Sequence, residues 1–377
     1  MRDPRVVVPV LVGVVMALVL VLTRVGVQSW QPGYDLAVYR DGARDLLSGR
    51  DLYQRETVRG HWFVYPPFAA VLFLPLLLLP ASADLVVWDA VLVGVTVCAT
   101  ITILRAIRAA PLLVGVGTAA VLVSDPFREA LVLGQVSPLV VLGLVLGALY
   151  GGRGGAVPAA LAAAVKVTPV LVVAAVLNRR ARRWFAVPVI VVGALTSLVG
   201  VLLAPTSARS YFGSLLWDPA RVAPARTTSN NSLAGAFAHA GVADASASHL
   251  ALLCSVPLFV LVVVLARRAD WLQRGDRLRF AIVVSLVTCL ASPVTWSHHA
   301  LAAPVGVMVL LAAHRRWVVL AGVAWLLPLL QWGQTLGGVG GVLLAETRPV
   351  SLLVLTVLLS QDVLTRERLP TAQLTSG

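Results

Sequence analysis

A polar segment lies between two apolar runs near the start of the chain, at residues 35–67. Because polar side chains avoid the bilayer core, this segment is expected at one face of a membrane. Asp35 is its first acid, and two roles are open on spacing alone. The carboxylate either caps the helix that follows, or it serves as a general base or binds a sugar hydroxyl. The two roles are compatible with each other.

The residues after Asp35 combine apolar and charged side chains at helical spacing. The apolar positions are Leu36, Tyr39, Ala43, Leu46 and Leu47, and the charged positions are Arg40, Asp41, Arg44 and Asp45. Since each set falls on one face, the pattern predicts a short amphipathic helix that lies in the plane of the membrane interface. Tyr65 precedes two prolines at the start of the next apolar run and is typical of an interfacial aromatic belt.

The protein has a single lysine, Lys166, which stands within the apolar run LAAAVKVTPVLVVAAV. An ionisable group at such depth costs free energy and is therefore a candidate for function. Pro169 breaks the helix just beyond it, and a cation at a helix break suits a phosphate group. The alternative is a lysine whose amine extends to water at the membrane surface. In the second half of the chain we expect no comparable charge within the membrane.

Two more polar segments interrupt the apolar runs, at residues 125–138 and 292–299. The first contains Gln135 and is typical of a capped turn between helices. The second reads SPVTWSHH, and its two histidines would point about 100° apart on a helix, so they form no metal-binding i, i+4 pair. Either one of these histidines faces a cleft as an acid, base or hydrogen-bond donor, or the segment is an interfacial belt of tryptophan and histidine.

These segments belong to a chain of 377 residues, of which 59% are hydrophobic and 12% charged. Apolar runs of roughly 18 or more residues recur along it, which predicts an all-α polytopic membrane protein. Solid blocks of Val, Leu and Ala argue against a β-barrel, which needs alternating strands. The net charge of +13 comes from arginines clustered in short loops, as expected of cytoplasmic loops, and does not indicate a nucleic-acid partner.

We predict a bundle of about twelve transmembrane helices with both termini in the cytoplasm. The predicted spans are residues 6–27, 67–81, 83–106, 111–124, 136–150, 155–178, 184–204, 249–266, 279–293, 298–313, 317–332 and 340–361. The external polar loops are residues 28–66 and 205–248, and residues 1–368 form one transmembrane domain before a disordered tail at 369–377. The first span resembles a signal sequence without a clean cleavage site, so we expect an uncleaved helix.

The sequence contains no short motif that marks a nucleotide or metal site, such as HExxH, CxxC, a Walker loop, GxGxxG or GxSxG. The three cysteines, Cys98, Cys254 and Cys289, lie in apolar runs and show no pairing or metal spacing. These absences argue against an ATP-driven pump and against a nucleotide site of the soluble type.

Taken in order, six segments of the sequence resemble glycosyltransferase family 87, of the GT-C type. They read DLAVYRDGARDLLSGRDLY, FVYPPFAAVLFLPL, GQVSPLVV, AAAVKVTPVLVVAAV with RRARRW, NNSLAG and SPVTWSHH. The resemblance implies a GT-C-like helical bundle that acts as a polyprenol-phosphate-mannose-dependent α-1,2-mannosyltransferase. An arabinofuranosyltransferase of the same fold is the alternative within the family.

The resemblance also implies which residues act. The family's essential loop acid corresponds to Asp35, and its histidine pair corresponds to His298 and His299. The substrate-binding residues that we assign are Tyr39, Tyr65, Gln135, Lys166, Asn231, Trp296 and Arg128. Lys166 or Arg128 would stabilise the leaving phosphate, Asp35 would deprotonate the attacking hydroxyl, and aromatic rings would stack on sugar faces. A β-linked donor and an α-linked product would mean inversion by single displacement, with no cofactor and no metal.

The expected partners are membrane lipids, the polyprenyl-phosphate sugar donor, and a glycolipid or glycan acceptor at the outer face of the plasma membrane. Two other classes of protein stay open on the residue pattern. One is a secondary transporter with a lysine in a broken helix, which predicts an inverted repeat that is not evident in the sequence. The other is a flippase or scaffold for lipid-linked sugars.

Overall fold

The computed structural model describes residues 3–23, 31–57, 60–218, 222–327 and 329–365. Within these ranges the chain is helical, and its extended pairing is limited to an isolated bridge between Glu56 and Trp62. The predicted all-α class is therefore confirmed. The predicted tail at 369–377 lies outside the described residues, as do residues 28–30 of the first predicted loop.

The first part of the chain forms the helices that surround the polar segments. Its α-helices are α1 Pro4–Leu22, α2 Tyr34–Leu47, α3 Pro67–Leu72, α4 Asp84–Ala106, α5 Pro111–Val123, α6 Asp125–Leu133, α7 Ser137–Tyr150 and α8 Gly152–Val165. Two 3₁₀ helices accompany them, Leu74–Leu78 and Thr168–Leu177. Prolines stand in the first turn of α1, α3, α5, α6 and α7, where a missing backbone N–H has no intrahelical partner to lose.

The second part continues with α9 Arg179–Ala181, α10 Val187–Leu203, α11 Pro205–Gly213, α12 Leu233–His239, α13 Asp244–Arg268, α14 Arg274–Ala291, α15 Ala302–Ala312, α16 Val319–Leu326, α17 Leu329–Leu336, α18 Gly338–Ala345 and α19 Thr347–Leu364. Short 3₁₀ helices cover Leu215–Trp217, Ser297–Ala300 and Arg316–Val318, and a π turn at Arg182–Ala186 joins α9 to α10.

Five helices in the described part of the chain are long and apolar enough to cross a membrane. They are Pro4–Leu22, Asp84–Ala106, Arg179–Leu203, Asp244–Arg268 and Gly338–Leu364. The other predicted spans coincide with shorter or interrupted apolar helices, so the predicted number of about twelve is not confirmed. The predicted span 155–178, for example, is divided between α8 and a 3₁₀ helix that begins at Thr168. The single-domain assignment to residues 1–368 stays a prediction.

Small residues allow some of these helices to pack with their backbones in contact. A Cβ added at Gly115 of α5 would lie 2.4 Å from the backbone oxygen of Arg5 in α1, and one added at Gly13 would lie 2.6 Å from the Cα of Ala119. Helices that meet in an apolar solvent gain little from the hydrophobic effect, so close van der Waals contact must hold them together. The glycines permit that contact between α1 and α5.

The helix predicted after Asp35 is present as α2, but of its charged residues only Arg44 is exposed. Asp41 and Asp45 are 2% and 3% exposed, and Arg40 is 7% exposed. Arg40 pairs with Asp84 of α4 at 3.1 Å and donates to the backbone oxygens of Leu76 and Leu79, so the helix packs into the protein. Its predicted location in the plane of a membrane interface stays a prediction.

The segment at residues 125–138 contains a complete helix ahead of the predicted capped turn, which lies between Gly134 and Ser137. Residues 125–133 form α6, which ends at Gly134 in the left-handed conformation, with φ of 67°. Every residue of α6 is buried. Because α6 lies between α5 and α7 and contacts the 3₁₀ helix Ser297–Ala300, it brings the polar segments of the two halves of the chain together.

Candidate active site

A cavity of about 490 Å³ collects polar side chains from distant parts of the chain. Its walls include seven predicted site residues: Asp35, Tyr65, Gln135, Lys166, Trp296, His298 and His299. These residues come from α2, from the starts of α3 and α7, from the end of α8 and from the loop before α15. A volume of this size accommodates a ligand rather than a few solvent molecules.

Asp35 is held at the cavity wall by Gln135. The Gln135 amide Nε2 donates to Asp35 Oδ2 at 3.0 Å, while no described residue donates to the second oxygen, Oδ1. The interpretation of Asp35 as a helix cap is wrong, because α2 begins at Tyr34 and Gly33 occupies the cap position with φ of 71°. Burial raises the pKa of the Asp35 carboxyl, and the nearby charge of Lys166 offsets this only in part.

Tyr39 contacts Gln135 and is not among the residues that line the cavity, and its assignment as a sugar-binding ring stays a prediction. Its hydroxyl donates to Gln135 Oε1, which also accepts from the Tyr65 hydroxyl at 3.3 Å. The ring is fully buried and stacks on Phe73 with centroids 4.3 Å apart. With its oxygen bound by two phenols, the Gln135 amide must turn its nitrogen toward Asp35. The tyrosines therefore fix the orientation of the Asp35 carboxylate.

Lys166 lies at the point where helix α8 ends. Its backbone is extended, with φ of −143° and ψ of 123°, and the next helix begins at Thr168, so the predicted helix break is confirmed. The Lys166 amine donates to Ser137 Oγ at 3.3 Å, and the side chain lines the main cavity together with a smaller adjoining chamber of about 30 Å³. The amine is therefore directed into the cavity.

His298 and His299 lie side by side, with their rings perpendicular and their centroids 4.5 Å apart. Both line the main cavity, and His299 also lines the smaller chamber. His298 is 3% exposed, and its Nδ1 and backbone nitrogen lie 3.0 and 2.8 Å from one carboxylate oxygen, Oε2 of Glu129. Burial raises the pKa of Glu129, but the hydrogen bonds from His298 and the nearby positive charge together outweigh it, so the pKa lies below its usual value.

Arg128 is not among the residues that line the cavity, and its assignment as a phosphate-binding residue stays a prediction. It is 2% exposed and lies 3.6 Å from Asp125, one turn earlier on α6. Asp125 in turn forms a 2.8 Å ion pair with Arg348 of α19. Arg348 also donates to Ser297 Oγ at 2.8 Å and to two backbone oxygens. These residues form a buried charge cluster behind the cavity wall.

Asn231 is also buried and is not among the residues that line the cavity, and its assignment to substrate binding stays a prediction. Its backbone N–H donates to the Thr295 oxygen at 2.7 Å, and its side chain donates to the same oxygen at 3.1 Å. The neighbouring Asn230 accepts from the Thr295 N–H at 2.9 Å. The segment NNSLAG therefore fixes the backbone of the loop that presents Trp296 and the histidines.

Aromatic rings also line the cavity. Tyr53, Phe63, Tyr211 and Trp217 all line it. The Tyr53 hydroxyl donates to the Tyr65 backbone oxygen at 2.6 Å, and its ring stacks on Tyr211 with centroids 5.7 Å apart. The lining of the cavity thus combines a carboxylate, an amine and imidazoles with aromatic rings suited to sugar rings.

Comparison with known families bears directly on this arrangement. The profile of glycosyltransferase family 87 matches residues 63–293, more than half of the chain. The chain belongs to glycosyltransferase family 87. Together with the apolar helices, membership of this membrane glycosyltransferase family establishes the chain as a membrane protein. No solved structure matches this chain significantly.

Curated relatives of this family 87 protein come from mycobacteria. The chain is 33% identical over 279 residues to a polyprenol-phosphate-mannose-dependent alpha-(1-2)-phosphatidylinositol pentamannoside mannosyltransferase of Mycolicibacterium smegmatis, covering 72% of this chain and 60% of the relative. It is 31% identical over 283 residues to the protein of the same description from Mycobacterium tuberculosis, covering 72% of this chain and 58% of that protein. The chain therefore spans less than two thirds of the length of these two relatives.

A third relative is matched over a larger share of its length. This is a polyprenol-phosphate-mannose-dependent alpha-(1-2)-phosphatidylinositol mannoside mannosyltransferase of Mycolicibacterium smegmatis, 30% identical over 318 residues. The alignment covers 75% of this chain and 70% of the relative.

In the described part of the family 87 chain, no three His, Cys, Asp or Glu side chains cluster closely enough to hold a metal ion.

Two site residues of this family 87 protein were missed from the sequence. Glu129 was missed because its segment was interpreted as a turn, although Asp125, Arg128 and Glu129 have the i, i+3, i+4 spacing of one helix face. Arg348 was missed although it stands inside an apolar run, which is the criterion that selected Lys166. The expectation that the second half has no such charge is wrong, because Arg348 is fully buried within the candidate span Gly338–Leu364.

Proposed function

We propose that this protein transfers a mannosyl group from polyprenyl-phosphate mannose to a hydroxyl of a cell-envelope glycolipid or glycan, forming an α-1,2 linkage. The reaction is placed at the outer face of the plasma membrane. The donor brings its own leaving group, a lipid phosphate, so the reaction needs no nucleotide site. The mannose donor and the phosphatidylinositol mannoside acceptors named for the relatives support this substrate class.

The observation that carries the proposal is the position of Asp35 on the cavity wall. One carboxylate oxygen is held by Gln135 at 3.0 Å, and the other accepts from no described residue. An oriented carboxylate with an open oxygen suits a general base, which must reach the proton of an attacking hydroxyl. Burial raises the pKa of this group, which makes its carboxylate a stronger base than an exposed one.

The leaving phosphate requires positive charge on the opposite side of the reacting carbon. Lys166 meets this requirement, because its amine is directed inward by Ser137 at 3.3 Å and lines the same cavity as Asp35. A base and a cation that line the same cavity suit a single displacement. In this step the acceptor oxygen forms a bond to the sugar carbon as the bond between that carbon and the phosphate oxygen breaks. The proton passes to Asp35, and the lipid phosphate leaves with the electron pair. Inversion at the sugar carbon follows, without a covalent sugar–enzyme intermediate and without a metal.

The decisive experiment measures transfer from radiolabelled polyprenyl-phosphate mannose to glycolipid in membranes. The wild type is compared with Asp35→Asn, which retains a partner for Gln135 but removes the base, and with Glu56→Gln as a control. Glu56 is an exposed acid of the same polar segment. We expect Asp35→Asn to lower the rate on the order of 100-fold or more and the control to match the wild type.

The results that would contradict the proposal have different consequences. Full activity of Asp35→Asn would remove this residue from the mechanism while leaving the donor class intact. Transfer by none of the proteins would overturn the mannose donor, and an arabinose donor would be tested next. Uptake of a labelled solute into proteoliposomes without any lipid-linked donor would instead favour a transporter.

A further inference from the structure

The sequence motifs do not predict the contact between Glu129 and His298. A single carboxylate oxygen, Oε2 of Glu129, lies 3.0 Å from His298 Nδ1 and 2.8 Å from its backbone nitrogen. Glu129 is on α6, and His298 is on the 3₁₀ helix Ser297–Ala300, 169 positions later in the chain. Both side chains are more than nine-tenths buried. The contact thus fixes the positions of both the backbone and the imidazole ring of His298.

This contact determines where the proton of the imidazole lies. An ionised carboxylate can only accept hydrogen bonds, and the backbone N–H already donates to the same oxygen. The Nδ1 position must therefore carry a hydrogen, which leaves Nε2 of the neutral ring with a lone pair. Among the described residues, Nε2 has no hydrogen-bond partner although it is buried. A buried polar atom without a partner costs free energy unless a ligand completes it.

We propose that Glu129 is a positioning residue that fixes His298 as the Nδ1–H tautomer, so that Nε2 accepts a hydrogen bond from a sugar hydroxyl in the cavity. An acceptor at Nε2 excludes a phosphate oxygen at that position, because a phosphate oxygen has no hydrogen to donate at neutral pH. Phosphate recognition then belongs to the Lys166 amine, and hydroxyl recognition belongs to His298. This inference rests on the proposed function for its ligand, but its tautomer can be measured without activity.

The charge cluster behind the cavity supports this assignment. Asp125 is paired with Arg348 at 2.8 Å, so it does not compete with Glu129 for His298. Arg348 donates to Ser297 Oγ at 2.8 Å, which fixes the residue next to His298. The imidazole therefore has little freedom to rotate and exchange its two nitrogens. Glu129 itself lines the cavity wall, but its Oε2 is taken up by His298.

The test uses substitutions that separate the two nitrogens of the ring. His298→Asn places an amide near the Nδ1 position and keeps a donor for Glu129, but it leaves nothing at the Nε2 position. His298→Gln places an amide near the Nε2 position, where its oxygen can accept a hydroxyl. Glu129→Gln keeps the shape of the carboxylate but removes its charge, and Glu56→Gln serves as the control.

Two readouts are collected on the full-length protein in detergent. The first is the kcat and KM for polyprenyl-phosphate mannose. The second is the long-range ¹H–¹⁵N spectrum of protein labelled at its histidines, of which there are six. The His298 signals are identified by their loss in His298→Asn. A merely structural role of Glu129 would reduce the yield of folded protein without changing the tautomer or the ratio of kcat to KM.

We expect the wild-type spectrum to show a hydrogen on Nδ1 and none on Nε2 of His298, and Glu129→Gln to mix the two tautomers. Glu129→Gln should lower kcat roughly 10- to 100-fold while KM changes less than about threefold. His298→Asn should lower kcat roughly 100-fold or more, and His298→Gln should retain a higher kcat than His298→Asn. A hydrogen on Nε2, or a tautomer unchanged in Glu129→Gln, would overturn the inference. An inactive wild type with the expected spectrum would count against the mannose donor and leave the tautomer established.

Discussion

Arg348 provides the sharpest test of how the last helix supports the site. The residue lies beyond the region matched by the family profile, which ends at residue 293, yet it is fully buried against the cluster that backs the cavity. Its guanidinium pairs with Asp125 at 2.8 Å, donates to Ser297 and two backbone oxygens, and lies 5.4 Å from the centre of the Trp325 ring. Arg348→Met keeps an unbranched chain of similar length but removes all of these charged contacts.

The expected loss follows from the charge that remains. Removing one partner of a buried ion pair typically costs about 3–5 kcal/mol, because the other charge stays buried without compensation. Asp125 still has Arg128 at 3.6 Å, so we expect a value near the lower end, about 3 kcal/mol. At about 1.4 kcal/mol per factor of ten, the ratio of folded to unfolded protein should fall about 100-fold.

The buried Cys289 gives a direct assay of this loss. Cys98 and Cys254 are exposed and would be replaced by alanine, so that a thiol-reactive dye reports only the opening of the region around Cys289. The free energy of unfolding is then compared in denaturant for the wild type and Arg348→Met. The double variant Asp125→Asn/Arg348→Met should recover about half of the loss, because it restores the balance of charges in the cluster.

Two results would refute this reasoning. Stability of Arg348→Met within about 1 kcal/mol of the wild type would mean that the ion pair contributes little net free energy. A double variant no more stable than Arg348→Met would mean that the uncompensated Asp125 charge is not the cause. Arg226→Met, at a pair whose arginine side chain is 67% exposed, serves as the control and should show no measurable change.

Three more predictions concern the polar loops. If Asp35 acts as an ionised base, the transfer rate should fall on acidification through its pKa, which burial raises above the ordinary value of about 3.9; kcat measured against pH checks this. The hydrogen bond to Glu346 raises the pKa of His239. This pair should therefore stabilise the protein fully below about pH 6.5, and progressively less as the pH rises through the raised pKa. Thermal midpoints of the wild type and His239→Gln at several pH values measure the difference. Gly42→Ala should cost about 1–3 kcal/mol, because its Cβ would lie 2.4 Å from the buried ring of Phe63; denaturant unfolding gives the value.

Each of these predictions has a matched control or a contradicting result. A transfer rate that stays constant down to about pH 4 would show that no base with a raised pKa limits the reaction. A stability difference between the wild type and His239→Gln that does not vary with pH would exclude ionisation of the histidine as its cause. Gly94→Ala controls for the added methyl group, since a Cβ at Gly94 meets no atom within 4 Å. Equal stability of the two alanine variants would show that Phe63 yields without cost.

The sequence by itself determined the class of the protein and several residues that line the cavity. Apolar runs and a shortage of charge require helices, since a backbone in an apolar solvent must satisfy its own hydrogen bonds. Asp35, Lys166 and the histidine pair could be selected because polar groups are rare in such a chain and costly to bury. The break at Lys166 could be predicted from Pro169 three residues later. These conclusions depend on local composition and on the energy of single groups.

Only the tertiary structure decided which of these groups face the cavity and which support it. Tyr39, Arg128 and Asn231 are polar residues in the expected segments, yet each is satisfied by partners inside the protein. Glu129 reaches His298 across 169 positions, and Arg348 reaches Asp125 across a still longer separation. Sequence spacing carries no information on such pairings, because they depend on how α6, α19 and the loop before α15 pack against one another. The orientation of the Asp35 and His298 side chains is therefore a property of the packed helices rather than of the motifs.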